Sequence, residues 1–253
     1  MQPEFEVVFA KTDEELRAAQ SLRYEVFVCE LGANGALVDH DLAVERDAFD
    51  PFSRHMLLLD HKRGSTVKDQ TVGVYRLLDR SGAAQAGRFY SENEFDLSAL
   101  TSSSKSLLEL GRSCLHKDYR GGMAMYHLWS ELANYIVTAQ IDILFGAASF
   151  AGTDQQSLQA PLALLMQNHL ATPEMRPTAK APCIAMDDVE QVDFDRKSAM
   201  TQIPALIKAY LRLGGCVGQG AYLDKDFNTT DVCLVLDVSQ MNDKQRKIYT
   251  RKI

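Results

Sequence analysis

Two periods of apolar and polar positions alternate along this chain, and the changes of period divide it into elements. Residues 5–10, FEVVFA, read as a first strand. Thr12 then opens a capping box with Glu15, which predicts a helix to about residue 31. Leu16, Ala19, Val26 and Phe27 fall on one face of that helix, and Arg23 projects from the same arc. The Gly- and Asp-rich stretch 32–53 reads as an irregular loop. Residues 55–61 (HMLLLDH) and 71–78 (TVGVYRLL) are apolar strands around a polar turn, which suits a hairpin. After a loop that holds Ser102, Ser103 and Ser104, a strand is predicted over 107–115, a helix over about 121–140 and a strand over 143–149. A further helix is expected around 155–170. The stretch 172–200, with Pro173, Pro177, Pro182 and a run of acids, reads as an irregular excursion, a lid or mobile loop. Residues 204–213 form a last helix, ended by Gly214 and Gly215. Residues 216–223 and 231–238 suit a closing antiparallel hairpin. No internal repeat is visible. This order implies an α/β (α+β) layer fold, with helices on both sides of a mixed sheet.

The strand 107–115, LLELGRSCL, carries a glutamate and an arginine three residues apart in an apolar run. In a flat strand Glu109 and Arg112 would face opposite sides. Gly111 between them could hold a β-bulge, which re-aims a side chain and splays the strand to open a crevice. The pair reads either as a structural ion pair or as a carboxylate that binds or deprotonates an amine, directly or through water. The turn Asp118-Tyr-Arg-Gly-Gly-Met-Ala follows. Its Arg120, Gly121, Gly122 and Met123 at a helix start could cradle a phosphate with backbone N–H groups, or form a plain tight turn.

Glu45, Asp47 and Asp50 lie within six residues of loop. They could bind a cation or be solvated acids; EF-hand spacing is absent. Arg23 and Arg76 sit among apolar residues, and a buried guanidinium needs an anionic partner. Arg23 could snorkel instead. Both could pair with the acids of the 45–50 loop.

Composition narrows the class. The 253 residues are 46% hydrophobic and 24% charged, which suits one large globular domain, 1–253. No apolar run approaches the roughly 20 residues of a membrane span, and MQPEFEVVFA lacks a secretory pattern. A cytoplasmic protein is therefore expected. Five scattered cysteines without a CxxC pair and six histidines without close spacing give no disulfide framework and no metal site. A net charge of −7 disfavours nucleic acid. The exception is the basic tail within 241–253, where KQRKIYTRKI reads as a solvated helix or as a contact with anionic lipid or an acidic carrier protein.

Taken in order, Arg23-Tyr-x-x-Phe27, Glu45-x-Asp47-x-x-Asp50, Gly73-x-Tyr-Arg76-Leu-Leu and Glu109-Leu-Gly-Arg112 resemble the pattern of acyl-homoserine-lactone synthases. Those enzymes use the GCN5-related N-acyltransferase fold. The chain resembles bacterial ornithine N-acyltransferases more closely. That likeness adds Tyr90-Ser-x-x-Glu-Phe-Asp-Leu97, Glu109-Leu-Gly-Arg-Ser-Cys114, Phe145-Gly-x-x-Ser149, Gly152, Ile207-Lys-Ala-Tyr-Leu-Arg-Leu-Gly214 and Asp226-Phe-Asn-Thr-Thr-Asp-Val232, nearly the whole chain.

The resemblance implies transfer of a 3-hydroxyacyl group from acyl carrier protein to the α-amino group of ornithine, giving a lyso-ornithine lipid. The donor is a co-substrate, and no cofactor is expected. Glu109 reads as the base, directly or through water. Arg112 would orient it or hold the substrate carboxylate, and Tyr210 would protonate the leaving thiolate. Arg23, Phe27, Glu45, Asp47, Asp50, Arg76 and Ser149 would shape the acceptor side, where one acid suits the δ-ammonium. Direct aminolysis needs no acyl-enzyme, so Cys114 reads as a packed thiol.

The turn Arg120-Gly-Gly-Met-Ala is shorter than the Arg-x-x-Gly-x-Gly/Ala of many relatives that wrap a pyrophosphate. That favours carrier-bound phosphopantetheine over coenzyme A as donor. Lys117, Arg120 and the tail would meet the acidic carrier, and 172–200 would wall an acyl tunnel. Other acceptors such as glutamine or glycine, a homoserine-lactone synthase and a noncatalytic acyl-carrier- or lipid-binding protein stay open.

Overall fold

The computed structural model describes residues 2–35, 38–185 and 193–241. Strand β1 is Phe5–Phe9, and helix α1, Asp13–Arg23, runs on as a π-helix over Tyr24–Glu30. Strand β2 (Arg54–Asp60), helix α2 (Val67–Gln70), strand β3 (Thr71–Asp79) and helix α3 (Arg80–Ala86) follow. Next come β4 (Phe95–Asp96), α4 (Ser98–Thr101), β5 (Leu107–Leu115), α5 (Ala124–Thr138), β6 (Ile143–Ala151) and α6 (Gln155–His169). The last elements are β7 (Thr178–Ala179), β8 (Cys183–Ile184), α7 (Arg196–Gln202), α8 (Ala205–Arg212), β9 (Cys216–Val217), β10 (Ala221–Asp224) and β11 (Thr229–Asp237). The chain divides into two compact units. The first holds the chain up to Gly87 with Leu110–Gln140; the second holds Arg88–Glu109 and the chain from Ile141. Strand β5 passes from one unit to the other between Glu109 and Leu110.

In the first unit the strand order is β1-β2-β3-β5. β1 and β2 pair antiparallel from Phe5↔Asp60 to Phe9↔Met56, and β2 pairs antiparallel with β3. From His55 onward β2 is buried throughout, which is why it reads as an unbroken apolar run. The capping box expected at Thr12 is present: its hydroxyl accepts the Glu15 N–H at 3.2 Å, and Glu15 accepts the Thr12 N–H at 2.9 Å. The apolar face of α1 joins the sheet through Ala18, Ala19, Leu22 and Val26 against Leu57, Leu59, Val74 and Cys114. Burial pushes the Cys114 thiol up to about 12, so it is no thiolate nucleophile in this state.

Two boundaries differ from the periodicity. The helix expected to stay α-helical to residue 31 widens after Arg23, and the Leu31 N–H bonds the Val26 carbonyl five residues back. Helix α5 starts at Ala124 rather than near 121, because Gly121 sits at φ +76. Its N-cap, Met123, supplies no side-chain hydrogen bond.

In the second unit the order is β5-β6-β11-β10-β8, with β9 also on β11. β6 and β11 run antiparallel over nine residues, from Ile143↔Asp237 to Ala151↔Thr229. β5 and β6 are parallel, with Leu107, Leu108 and Glu109 opposite Ile143, Leu144 and Phe145. The sheet is thus mixed and mostly antiparallel, as expected. Among the described residues, the stretch 172–200 holds short regular elements that its prolines do not suggest. β7 pairs with β4, β8 pairs with β10, and α7 begins at Arg196. Two-residue strands carry too few positions to show a period, which explains the difference. Residues 186–192 and the basic tail beyond Met241 lie outside the described residues. Among the described residues no helix is long and apolar enough to cross a membrane.

Candidate active site

Six side chains of the first unit close a ring of alternating charge. Arg23, at the end of α1, bonds Glu45 through Nε and Asp50 through Nη1 at 2.8 Å. Arg76 on β3 bonds Asp50 at 3.0 Å and Asp47 at 2.6 Å. Arg112 on β5 bonds Asp47 at 2.9 Å and Glu45 at 3.2 Å. Each guanidinium thus spans two carboxylates and each carboxylate spans two guanidiniums. Gln20 adds a 3.0 Å bond to Asp50. The three acids of the 45–50 loop are therefore neither solvated nor a bare cation site. They meet Arg23 and Arg76, as the sequence allows, and also Arg112, which the sequence groups with Glu109.

The strand reaches this geometry through its backbone. Gly111 was expected to carry the irregularity, but the left-handed conformation falls on Arg112, at φ +51. For a residue with a Cβ this costs roughly 1–2 kcal/mol, and the two carboxylates that Arg112 bridges offset it. A Cβ at Gly111 would lie 4.0 Å from Nε and Nη2 of Arg76, an ordinary contact, so the guanidinium does not itself require glycine there.

The ring holds its acids ionised. Burial raises the pKa of Glu45, Asp47 and Asp50, and the flanking arginines outweigh it, so all three titrate below the ordinary carboxylate range. These folded-state values lie below the unfolded ones. The stability they contribute is complete above about pH 4, the unfolded carboxylate range, and is lost as pH falls further. The free energy of urea unfolding is expected to hold from pH 7 to about 5 and to drop below about 4, with a shallower drop in Glu45→Gln. Equal stability at pH 3 and 7 would break this linkage.

Of the other residues marked from the sequence, Phe27 lies in the π-helix, packed against the core of α1 and β2. Arg120 donates Nε to the Leu115 carbonyl at 3.1 Å and Nη2 to Glu30 at 2.7 Å. Gly121, Gly122 and Met123 are exposed beside it.

In the second unit Glu109 is buried, and both its oxygens accept backbone N–H groups: Oε2 from Tyr90 at 2.8 Å and Oε1 from Ser91 at 2.6 Å. These amides fix the carboxylate plane. Burial, with Glu109 and Glu94 nearby, pushes the Cys233 thiol upward. Ser149 is exposed on β6 opposite Asp231, and Tyr210 is buried on α8. The Tyr90–Ser91 amides were missed because a backbone contact leaves no residue-type signature. Glu94, Asp224 and Asp231 were missed as a group. Each places one carboxylate oxygen within 4.8 Å of the others, a spacing that could hold a cation. They are 137 residues apart at the extremes; the β10–β11 pairing joins Asp224 and Asp231, and Glu94 comes to them from the turn before β4.

Comparison with known proteins places this chain among acyltransferases. Residues 22–130 match the family model of an acetyltransferase (GNAT) domain. The chain is 49% identical over 98% of its length, and 96% of the relative's, to the L-ornithine N(alpha)-acyltransferase of Rhodobacter capsulatus. It is 36% identical to that of Agrobacterium fabrum, over 96% of this chain and 84% of the relative. In fold it is similar to the CoA-dependent acyl-homoserine lactone synthase BjaI (TM-score 0.56, 11% identity, 97% of this chain and 88% of that one). It is also similar to FeeM, an N-acyl amino acid synthase from uncultured soil microbes (TM-score 0.52, 13% identity, 94% and 92%).

Proposed function

Because the chain belongs to the family of L-ornithine N(alpha)-acyltransferases, we propose that it moves a 3-hydroxyacyl group from acyl carrier protein to the α-amino group of ornithine, giving lyso-ornithine lipid. The near-full-length identity to enzymes of that name carries the acceptor. The acyl carrier rests on the glycine turn, which is short and has one arginine. A carrier-linked phosphopantetheine presents one phosphodiester, whereas coenzyme A brings a pyrophosphate and a ribose phosphate.

The chemistry is aminolysis of a thioester. The α-ammonium gives up a proton, its nitrogen bonds the acyl carbon, and the C–S bond breaks to release a thiolate that is then protonated. Glu109 takes the proton, directly or through water, from a plane set by the Tyr90 and Ser91 amides. Backbone N–H groups near the end of the β5–β6 register stabilise the oxyanion. Tyr210 returns a proton to the thiolate. None of these steps needs a resident cofactor.

The family resemblance assigns the ring to the acceptor side, and within the first unit its accessible edge lies at Asp47 and Arg112. The Asp47 side chain is 17% exposed and that of Arg112 9%, whereas the other four are at 3% or less. Lys117 and Arg120 are exposed and basic, which suits an acidic carrier.

The test is a mass-spectrometric assay of 3-hydroxyacyl carrier protein, or the matching coenzyme A ester, against a panel of amino acids. Acylated ornithine formed from the carrier thioester is the expected result. No acylated product from any amine would overturn the enzymatic reading. A preference for glutamine or glycine would overturn only the acceptor, and preference for coenzyme A only the donor.

A further inference from the structure

Glu30 occupies the guanidinium that the proposed donor phosphate needs. Glu30 is the last residue of the π-helix, and its Oε2 lies 2.7 Å from Nη2 of Arg120. The widened helix matters here. Moving from i→i+4 to i→i+5 closure turns every later side chain away from its α-helical direction, so the register that begins at Tyr24 aims Glu30. On the other side, Nε of Arg120 is held by the Leu115 carbonyl at 3.1 Å, which fixes the guanidinium plane. The rest of the turn leaves space. A Cβ at Gly121 would meet nothing within 4 Å, and one at Gly122 would meet only the Tyr119 carbonyl at 4.0 Å. Lys117 beside it is exposed.

We propose that Glu30 sets the affinity for the acyl donor: it holds Arg120 in the free protein, and the phosphate of the incoming phosphopantetheine takes its place. This rests on the reading that the donor lies at the 120–123 turn. A carboxylate and a phosphate present similar acceptor geometry to one guanidinium edge, so the exchange needs no movement of the Leu115 contact. The ion pair is weak enough to yield, since the Arg120 and Glu30 side chains are 46% and 25% exposed. Such half-exposed pairs shift an equilibrium by no more than about fivefold. Glu30 thereby screens the turn against weak anions and releases it to a donor that brings further contacts.

The experiment is calorimetric binding to the full-length protein, with 4′-phosphopantetheine and its phosphate-free counterpart pantetheine as probes. Glu30→Gln is expected to tighten 4′-phosphopantetheine about two- to fivefold and to leave pantetheine unchanged. Arg120→Ala is expected to weaken only the phosphorylated probe and to abolish the gain in the double variant. An unchanged ratio between the two probes in Glu30→Gln overturns the proposal. So does a gain that survives Arg120→Ala, or wild-type binding that does not distinguish the probes. Failure of acyl transfer to ornithine would count against the functional reading and leave this ratio unaffected. A changed ratio with no transfer would separate the two.

Discussion

Arg23→Ala is expected to destabilise the protein by about 3–5 kcal/mol, the cost of breaking a buried ion pair from one side. Arg23 is fully buried, and it joins Glu45 to Asp50 in the ring. Removing it leaves two buried carboxylates with one guanidinium partner each in the ring and opens a cavity against α1. In a chain of this size the loss corresponds to roughly 6–20 °C in melting temperature. Arg23→Lys is expected to recover little, because a single ammonium cannot fork between two carboxylates. Thermal and urea denaturation, followed by far-UV circular dichroism, measure both variants. A change below about 1 kcal/mol, the range of an exposed pair, would show that the ring does not hold the acid loop in place.

Glu109→Gln is expected to reduce turnover by about 10²- to 10⁴-fold, the range of a general base, while carrier binding is retained. The structure adds a second consequence. The wild-type carboxylate accepts an N–H on each oxygen, but a glutamine has one acceptor oxygen and one NH₂. One of the Tyr90 and Ser91 amides then faces a donor, which costs about 1–3 kcal/mol in a buried setting. Turnover and melting temperature must therefore be read together. A folded Glu109→Gln protein with unchanged turnover would remove Glu109 as the base and leave it the anchor of the 90–91 turn. A folded variant that loses turnover and still binds carrier supports the catalytic role.

Local order made much of this protein legible from its residues. The capping box at Thr12, the buried run of β2 and the Gly214 stop after α8 are each set by a few neighbouring positions. Periods of 2 and 3.6 appear wherever an element has enough turns or strand positions to repeat them. The short elements β4, β7, β8 and α4 have no such length, and the loops that contain them looked structureless. The π-helix was also hidden, since its sequence continues the α1 pattern.

The site divides along the same line. The chain by itself determined which charges sit in apolar surroundings and must find partners: Arg23, Arg76, Glu109 and Arg112. It also determined the family, because ordered motifs survive in sequence without any coordinates. Tertiary structure alone decided the pairing. Arg112 reaches acids more than sixty residues away in sequence. The left-handed backbone at Arg112 carried it to Glu45 and Asp47, and Glu109 took its hydrogen bonds from the 90–91 amides. A buried charge takes whichever partner the packed backbone brings within reach, since the cost of leaving it unpaired exceeds the strain needed to reach one. That choice depends on strands and loops distant in sequence, and no local pattern records it.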